Sequence, residues 1–492
     1  MFHTGAMTQH DPNPPSDPSL CHRAVAARDK RFDGRFFTCV RTTGIFCRPI
    51  CPARTPAMEN CLFVATAAQA LAAGFRPCLR CRPEAAPGLG GWLGTAASVN
   101  RALALIGEGA LDEGSVAALA ERLGLGERHL RRLFLHHLGI SPGAVAQAQR
   151  LLFAKTLISD TALPMTEIAL AAGYGSLRRF NHALRTAYGC PPTALRRAKG
   201  AAIVGEGGPV LRLAARQPFD WPGLLAFFRQ RAVPGLERVE GDTYVRAIAI
   251  GAARGVVTIR GSAEGLVVTP SLDRPEGLAA LVARLRRVFD LDADIGAIGA
   301  HLGADPLLAP LVAARPGLRV PGAWDGFELA VRAILGQQVS VAAATTLAGR
   351  LVGAFGEPLT NAPPAGPSRL FPTAARLAEA DLGGLGLTTA RAKAISGLAR
   401  AVVETPGLLD PGPDLDSAVA RLCRLPGIGP WTAQYIALRA LGEADALPVG
   451  DIGVLRALAE DGVRPTPAAL LARAEDWRPW RSYAVLHLWS MP

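Results

Sequence analysis

Aromatic residues make up only 6% of this 492-residue chain, and no uninterrupted apolar stretch approaches membrane length. Because a bilayer core takes about 20 consecutive apolar residues, membrane-spanning helices are not expected and no membrane partner is assigned. The start is equally poor in apolar character. Residues 1–20 are polar and proline-rich without a hydrophobic segment, which argues against a secretory signal and reads as a disordered tail, with Met7 an alternative first residue. Acid is in deficit: 53 Lys and Arg face 41 Asp and Glu, leaving a net charge of +12 and pointing to a polyanionic partner, nucleic acid ahead of membrane. A disulfide framework is also missing. Nine cysteines, four of them at metal spacing, suit a reducing cytoplasm, so a cytoplasmic, nucleoid-associated protein is expected.

What is present divides the chain into several domains, as its length requires. Residues 21–86 form a cysteine-bearing unit closed by the glycine-proline linker 85–91. Residues 92–199 carry apolar positions at spacings of three and four, as in Leu130, Leu133, Phe134 and Leu138, and read as a bundle of short helices. After a small-residue linker at 201–208, residues 209–303 form an α+β unit, with strands at 211–215, 244–250, 255–260 and 265–269 and a helix at 278–289. Helical periodicity returns over 304–492, interrupted by prolines at 362–367 and 406–413. The fold class is therefore multidomain, mainly α with α+β parts.

Cys47 and Cys51 are separated by three residues, Cys78 and Cys81 by two. Such pairs supply four thiolates to a tetrahedral zinc ion at about 2.3 Å. Their setting, Arg41-Thr42-Thr43-Gly44-Ile45-Phe46-Cys47-Arg48 through Arg54, then Gly74-Phe75-Arg76-Pro77-Cys78-Leu79-Arg80-Cys81, places arginine beside each pair. Over residues 28–83 it resembles the amino-terminal domain of the Ada family of adaptive-response proteins. That resemblance implies that Cys47 irreversibly takes a methyl group from a methylated DNA phosphate, while Cys47, Cys51, Cys78 and Cys81 hold the zinc and Thr43, Arg54 and Arg76 lie near the phosphate. A zinc staple without transfer activity is the plain alternative.

Within 92–199 one motif occurs twice, over 115–138 and 165–189: an alanine-rich helix, a glycine turn (Gly124-Leu125-Gly126; Gly173-Tyr174-Gly175) and a helix with outward basic residues. Arg128 and Arg131 project from the first such helix, Arg178, Arg179 and Asn181 from the second, residue types that read base edges in a major groove. Arg178-Arg179-Phe180-Asn181 with Tyr188-Gly189-Cys190-Pro191-Pro192 resembles the AraC-type regulator signature. The resemblance brings promoter DNA, and RNA polymerase with it, among the expected partners. Many Ada relatives continue into a guanine-directed methyltransferase with a Pro-Cys-His-Arg sequence; none occurs here, which excludes repair of alkylated guanine oxygen.

Leu425-Pro426-Gly427-Ile428-Gly429-Pro430-Trp431 fits the turn of a helix-hairpin-helix, whose Gly427 and Gly429 let backbone amides approach a DNA phosphate. Leu447-Pro448-Val449-Gly450-Asp451 follows about twenty residues on, and together they resemble the glycosylase superfamily named for its hairpin, Gly/Pro loop and Asp. The closer match is to AlkA-type alkylpurine glycosylases over 211–489, through Arg315-Pro316-Gly317-Leu318-Arg319, Val331 to Gln337, and Trp480 to Ala484. By that resemblance Asp451, preferred over Asp445, is the catalytic carboxylate, Trp431, Tyr435 and Trp489 line the base pocket, and Gln338 stands where the family places a leucine wedge. Bifunctional members carry lysine where Trp431 stands, so strand cleavage is not expected; with no cysteine beyond Cys423, neither is an iron-sulfur cluster.

The expectation is a fused DNA alkylation-damage protein: zinc-thiolate sensor (21–86), double helix-turn-helix reader (92–199), α+β domain (209–303) and all-α helix-hairpin-helix domain (304–492). Its partner is double-stranded DNA with alkylated bases and methylphosphotriesters, its activity that of a monofunctional 3-methyladenine-type glycosylase. The alternative is a methylation-sensing transcription activator whose glycosylase half is inactive and only binds DNA.

Overall fold

A computed structural model describes residues 17–88, 97–112, 114–197, 209–360, 362, 366–459 and 462–491. The tail before residue 17, linker residues 89–91 and 201–208, and prolines within 363–365 lie outside the described residues. The expected tail is too long by three residues, because helix Pro18–Ala27 starts inside it. The Asp17 carboxylate accepts the Ser19 amide at 2.8 Å and Pro18 occupies the first turn, so the sequence carries its own start signal, and Cys21, Ala24 and Val25 bury against Phe36.

The cysteine unit is a four-stranded sheet in the order Cys61–Val64, Phe37–Val40, Ile45–Cys47, Arg76–Pro77, the last pair parallel and the others antiparallel. Strands this short hold together on little apolar surface. A helix at Ala67–Ala72, opened by a reciprocal Thr66–Gln69 capping box, covers them.

The duplicated motif appears as two helix pairs, Val116–Arg122 with Glu127–Leu138 and Met165–Ala171 with Leu177–Tyr188. Each second helix buries the same three-residue stripe at i, i+4 and i+8: Leu130, Phe134, Leu138 and Phe180, Leu184, Tyr188. Each also ends on a glycine in the left-handed region, Gly139 at φ +65 and Gly189 at φ +71. The long helix Pro142–Asp160 connects the two pairs, and Ala97–Gly107 precedes them.

The next unit is a five-stranded antiparallel sheet in the order Leu211–Ala214, Gly265–Leu272, Ala253–Ser262, Thr243–Ile250, Glu237–Glu240. Leu281 and Leu285 of helix Leu278–Val288 share a core with Tyr244, Ile259 and Val268. The edge strand Glu237–Glu240 was not expected, because every residue in it except Val239 is charged. Glu237 nevertheless points inward and is neutralised there by Arg246 at 2.6 Å and Arg332 at 2.9 Å.

From Ile295 onward the elements among the described residues are helices joined by loops, with an isolated bridge between Pro358 and Arg369. The expected boundary at 303 falls one residue after helix Ile295–Leu302, whose Ile295, Ile298 and Leu302 bury in the helical core rather than against the sheet. Val233, Leu236 and Ala247 of the sheet unit enter that core too, so the two units share one apolar interior. No helix among the described residues is long and apolar enough to cross a membrane.

Candidate functional site

The helical domain presents its hairpin between helices Leu415–Cys423 and Pro430–Arg439. Gly427 sits at φ +84, and a Cβ there would meet the Ala394 Cβ at 2.5 Å, so both conformation and packing demand glycine. Gly429 caps the second helix and faces open space, as a phosphate-approaching position requires. Gln337, to which the sequence alone assigned no role, ties this turn to the end of helix Gly326–Leu335: its Nε2 donates to the Gly427 carbonyl at 2.8 Å and to Thr432 Oγ1 at 3.2 Å. The adjoining Gln338 is exposed and held at φ +55, a conformation side chains rarely adopt, which aims it away from the core.

Helix Pro430–Arg439 carries Trp431 and Tyr435 one turn apart, with rings stacked at 5.4 Å and 7°. The helix Arg481–Trp489 delivers Trp489 beside Tyr435, 6.2 Å between centroids and tilted by 49°. Asp451 opens helix Ile452–Ala457 as its N-cap and is buried. Its Oδ1 accepts the Val454 amide at 2.9 Å and the Trp489 indole N–H at 2.8 Å; its Oδ2 accepts the Trp431 indole N–H at 3.0 Å. Gly453 leaves room for this, since a Cβ there would meet Asp451 Oδ1 at 3.0 Å and Trp489 Cδ1 at 3.2 Å. Asp445 is placed otherwise: Arg481 grips it at 2.7 Å and Arg478 pairs with it as well. The structure thus brings Asp451, Trp431, Tyr435 and Trp489 into one cleft and leaves Asp445 outside it.

Two cations back this cleft. Arg439, one turn beyond Tyr435, donates to its hydroxyl at 2.8 Å and lies 4.7 Å from the Phe227 ring centroid, while Arg231 lies 3.9 Å from the same ring. Burial pushes the Tyr435 phenol up, yet Arg439 and Arg231 outweigh it and hold the group below its ordinary value. The i, i+4, i+8 spacing of Trp431, Tyr435 and Arg439 could have flagged Arg439; nothing local could have flagged Phe227.

In the sensor unit the four sulfurs of Cys47, Cys51, Cys78 and Cys81 lie within 4.8 Å of one another. A zinc ion with bonds of about 2.3 Å separates its sulfurs by about 3.8 Å, so the cluster fits that ion. Three of the four are buried and Cys47 alone is partly exposed. Arg48 donates its amide to Cys81 Sγ at 3.3 Å, and its guanidinium is held by Asp33. Thr43, Arg54 and Arg76 are exposed, Arg76 on the strand register opposite Ile45, two residues from Cys47. In the reader, Arg128, Arg131, Arg178 and Arg179 are exposed and Asn181 half-buried, with Arg131 paired to Glu127 at 2.6 Å.

A tetrathiolate site, a duplicated helix-turn-helix and a helix-hairpin-helix with a carboxylate in its cleft define a multidomain DNA-handling protein. Family descriptions match each part in turn: "Metal binding domain of Ada" over 20–84, "Helix-turn-helix domain" over 119–198, "AlkA N-terminal domain" over 210–325 and "HhH-GPD superfamily base excision DNA repair protein" over 331–482. Over 478 residues the chain is 42% identical to a "Probable bifunctional transcriptional activator/DNA repair enzyme AlkA" of Mycobacterium tuberculosis (strain CDC 1551 / Oshkosh), covering 96% of each. It belongs to that family of bifunctional transcriptional activator/DNA repair enzymes, and its cofactor is zinc. It is also 41% identical over 278 residues to DNA-3-methyladenine glycosylase 2 of Escherichia coli (strain K12), covering 55% of this chain and 94% of that one. A 3-methyladenine DNA-glycosylase from Archaeoglobus fulgidus shares the fold of the same half, with a TM-score of 0.50 at 24% identity over 56% of this chain and 96% of that one.

Proposed function

We propose that this protein repairs and senses DNA alkylation: a monofunctional glycosylase releases alkylated purines of the 3-methyladenine type, and Cys47 accepts a methyl group from methylphosphotriesters. The observation that carries the first activity is the Asp451 carboxylate, fixed by two indole N–H groups inside an aromatic cleft. As the bond from C1′ to the base nitrogen breaks, the base leaves with the electron pair and positive charge grows on the deoxyribose. Asp451 faces that charge and directs water to C1′, the water's proton passing to the carboxylate or to solvent. A cationic base suits the stacked Trp431 and Tyr435 rings.

For the second activity the support is exposure: of the four cysteines Cys47 is the one that is not buried, and Thr43, Arg54 and Arg76 are exposed as well. Bound zinc keeps the thiolates ionised. The Cys47 sulfur forms a bond to the methyl carbon, the carbon–oxygen bond breaks, and the phosphodiester departs with the pair, leaving a thioether that is not regenerated. In cells this reading places the chain on chromosomal DNA in the cytoplasm, its reader helices on promoter DNA near RNA polymerase.

One tube tests both halves. The chain is incubated with alkylated duplex, and free bases and protein mass are measured together. Asp451→Asn is expected to abolish base release and leave the mass gain on Cys47, and Cys47→Ala the reverse. No base released by the unaltered chain would favour a glycosylase half that only binds DNA.

A further inference from the structure

Arg101, on the first helix of the reader, is buried against the glycosylase domain more than three hundred residues away. Its Nε and Nη2 donate to Glu443 Oε1 at 2.8 and 2.6 Å, and its Nη1 donates to the Pro413 carbonyl at 2.7 Å. Pro413 immediately precedes Asp414, the N-cap of the first hairpin helix, and Glu443 lies just beyond the second. One guanidinium therefore joins the two chain ends of the helix-hairpin-helix. The segment it grips then runs to the cleft: Ser482 Oγ donates to the Glu443 carbonyl at 2.7 Å, Gln434 Oε1 accepts the Leu447 amide at 3.0 Å, and Asp451 follows. Burial pushes the Glu443 carboxyl up even beside Arg101, so losing the arginine would leave a buried acid without the cation paired to it. Around this pair Arg122 meets Asp410 at 2.8 Å and Arg287 meets Glu108 at 3.0 Å, two further bridges between reader and glycosylase halves.

We infer that Arg101 is a positioning residue of the glycosylase, so that excision in this chain depends on a side chain supplied by its DNA-reading module. The inference rests on the glycosylase reading above. Arg101 touches no substrate; it acts by fixing residues 442–451, the stretch that sets where Asp451 stands. Displacing a catalytic group by about 1 Å costs on the order of 100-fold in rate.

The test uses the full chain and the variants Arg101→Met, Arg101→Lys and Glu443→Gln, with three readouts: single-turnover base release, affinity for an abasic duplex, and amide hydrogen exchange over 442–451. Arg101→Met is expected to slow release by about 100-fold, to leave affinity within about twofold, and to speed exchange in that segment. Arg101→Lys should recover part of the rate, since an ammonium can meet Glu443 but cannot reach Pro413 as well. Should Arg101→Met fail to fold, Glu443→Gln, which keeps the shape of the acid, is expected to show the same split. Wild-type release with unchanged exchange in a folded variant overturns the inference, as does an equal fall in rate and affinity. If the unaltered chain releases no base, the glycosylase reading fails; unchanged exchange over 442–451 still decides against Arg101 separately.

Discussion

Replacing Trp489 by phenylalanine isolates the contribution of one hydrogen bond at the proposed catalytic carboxylate. Asp451 receives three donors, at 2.8 Å from Trp489, 2.9 Å from the Val454 amide and 3.0 Å from Trp431. Trp489→Phe deletes the shortest and keeps an aromatic ring beside Tyr435. A hydrogen bond to a charged group contributes about 1.5–3 kcal/mol, and each 1.4 kcal/mol is roughly tenfold in rate. The ceiling on the loss is therefore about 10- to 150-fold. Where it falls decides between roles: a carboxylate that only shapes the pocket would lose binding, whereas one that answers charge developing at C1′ loses the chemical step. We expect single-turnover release from a duplex with one alkylated purine to fall by about 10-fold or more, with affinity for the same duplex nearly unchanged. A rate within about twofold of the unaltered chain would refute the assignment of that indole to Asp451.

Gly427→Ala should cost roughly 1–2 kcal/mol for the left-handed backbone alone, plus the clash with Ala394, and should weaken binding to undamaged duplex, measured by fluorescence anisotropy. Arg178→Ala and Arg179→Ala, on the exposed face of the second reading helix, should each reduce the salt dependence of duplex binding by about one unit of slope if they contact phosphate. Asp290 gives a pH signature: burial pushes its carboxyl up to about 6, although Arg319 opposes the shift. A raised folded value means the protonated acid is the favoured form, so its stability advantage is present below about pH 4 and lost as pH rises through about 6. Asp290→Asn should therefore stabilise the chain at pH 8 by up to about 3 kcal/mol and change little at pH 4, as read by urea denaturation.

Which parts were legible in the sequence follows from how far apart the interacting residues lie. The cysteine pairs, the two glycines of the hairpin and the duplicated helix pairs are local patterns, and local backbone preference plus helical periodicity carry them through to structure. Asp451 was reachable because it follows the hairpin and its second helix directly after a proline-glycine turn; the structure sets Asp445 apart from it, held by Arg481 and Arg478. The strand Glu237–Glu240 was hidden because its inward residue is an acid, and its partners Arg246 and Arg332 are recognisable only after folding. Gln337 reaches the hairpin across ninety residues and Arg101 reaches Glu443 across 342, distances at which no spacing rule operates.

The sensor and reader are also joined at a point that matters for charge. Helix Leu177–Tyr188 ends on Gly189, where an added Cβ would meet the Arg76 guanidinium at 3.4 Å, so the sensor strand Arg76–Pro77 abuts the end of the second reading helix. A helix C-terminus carries about half a negative charge, which suits a guanidinium there. Four zinc-bound thiolates carry about −2, and methylating Cys47 would leave about −1. One charge acting on a phosphate 4 Å away is about 1 kcal/mol in water and about 4 kcal/mol at the lower effective dielectric of a protein surface. A change of that size, delivered near Arg76, would act on a phosphate bound by the sensor next to the second reading helix. Duplex affinity of the methylated chain should then rise by a factor that shrinks with added salt, and a rise independent of salt would point to a conformational route instead.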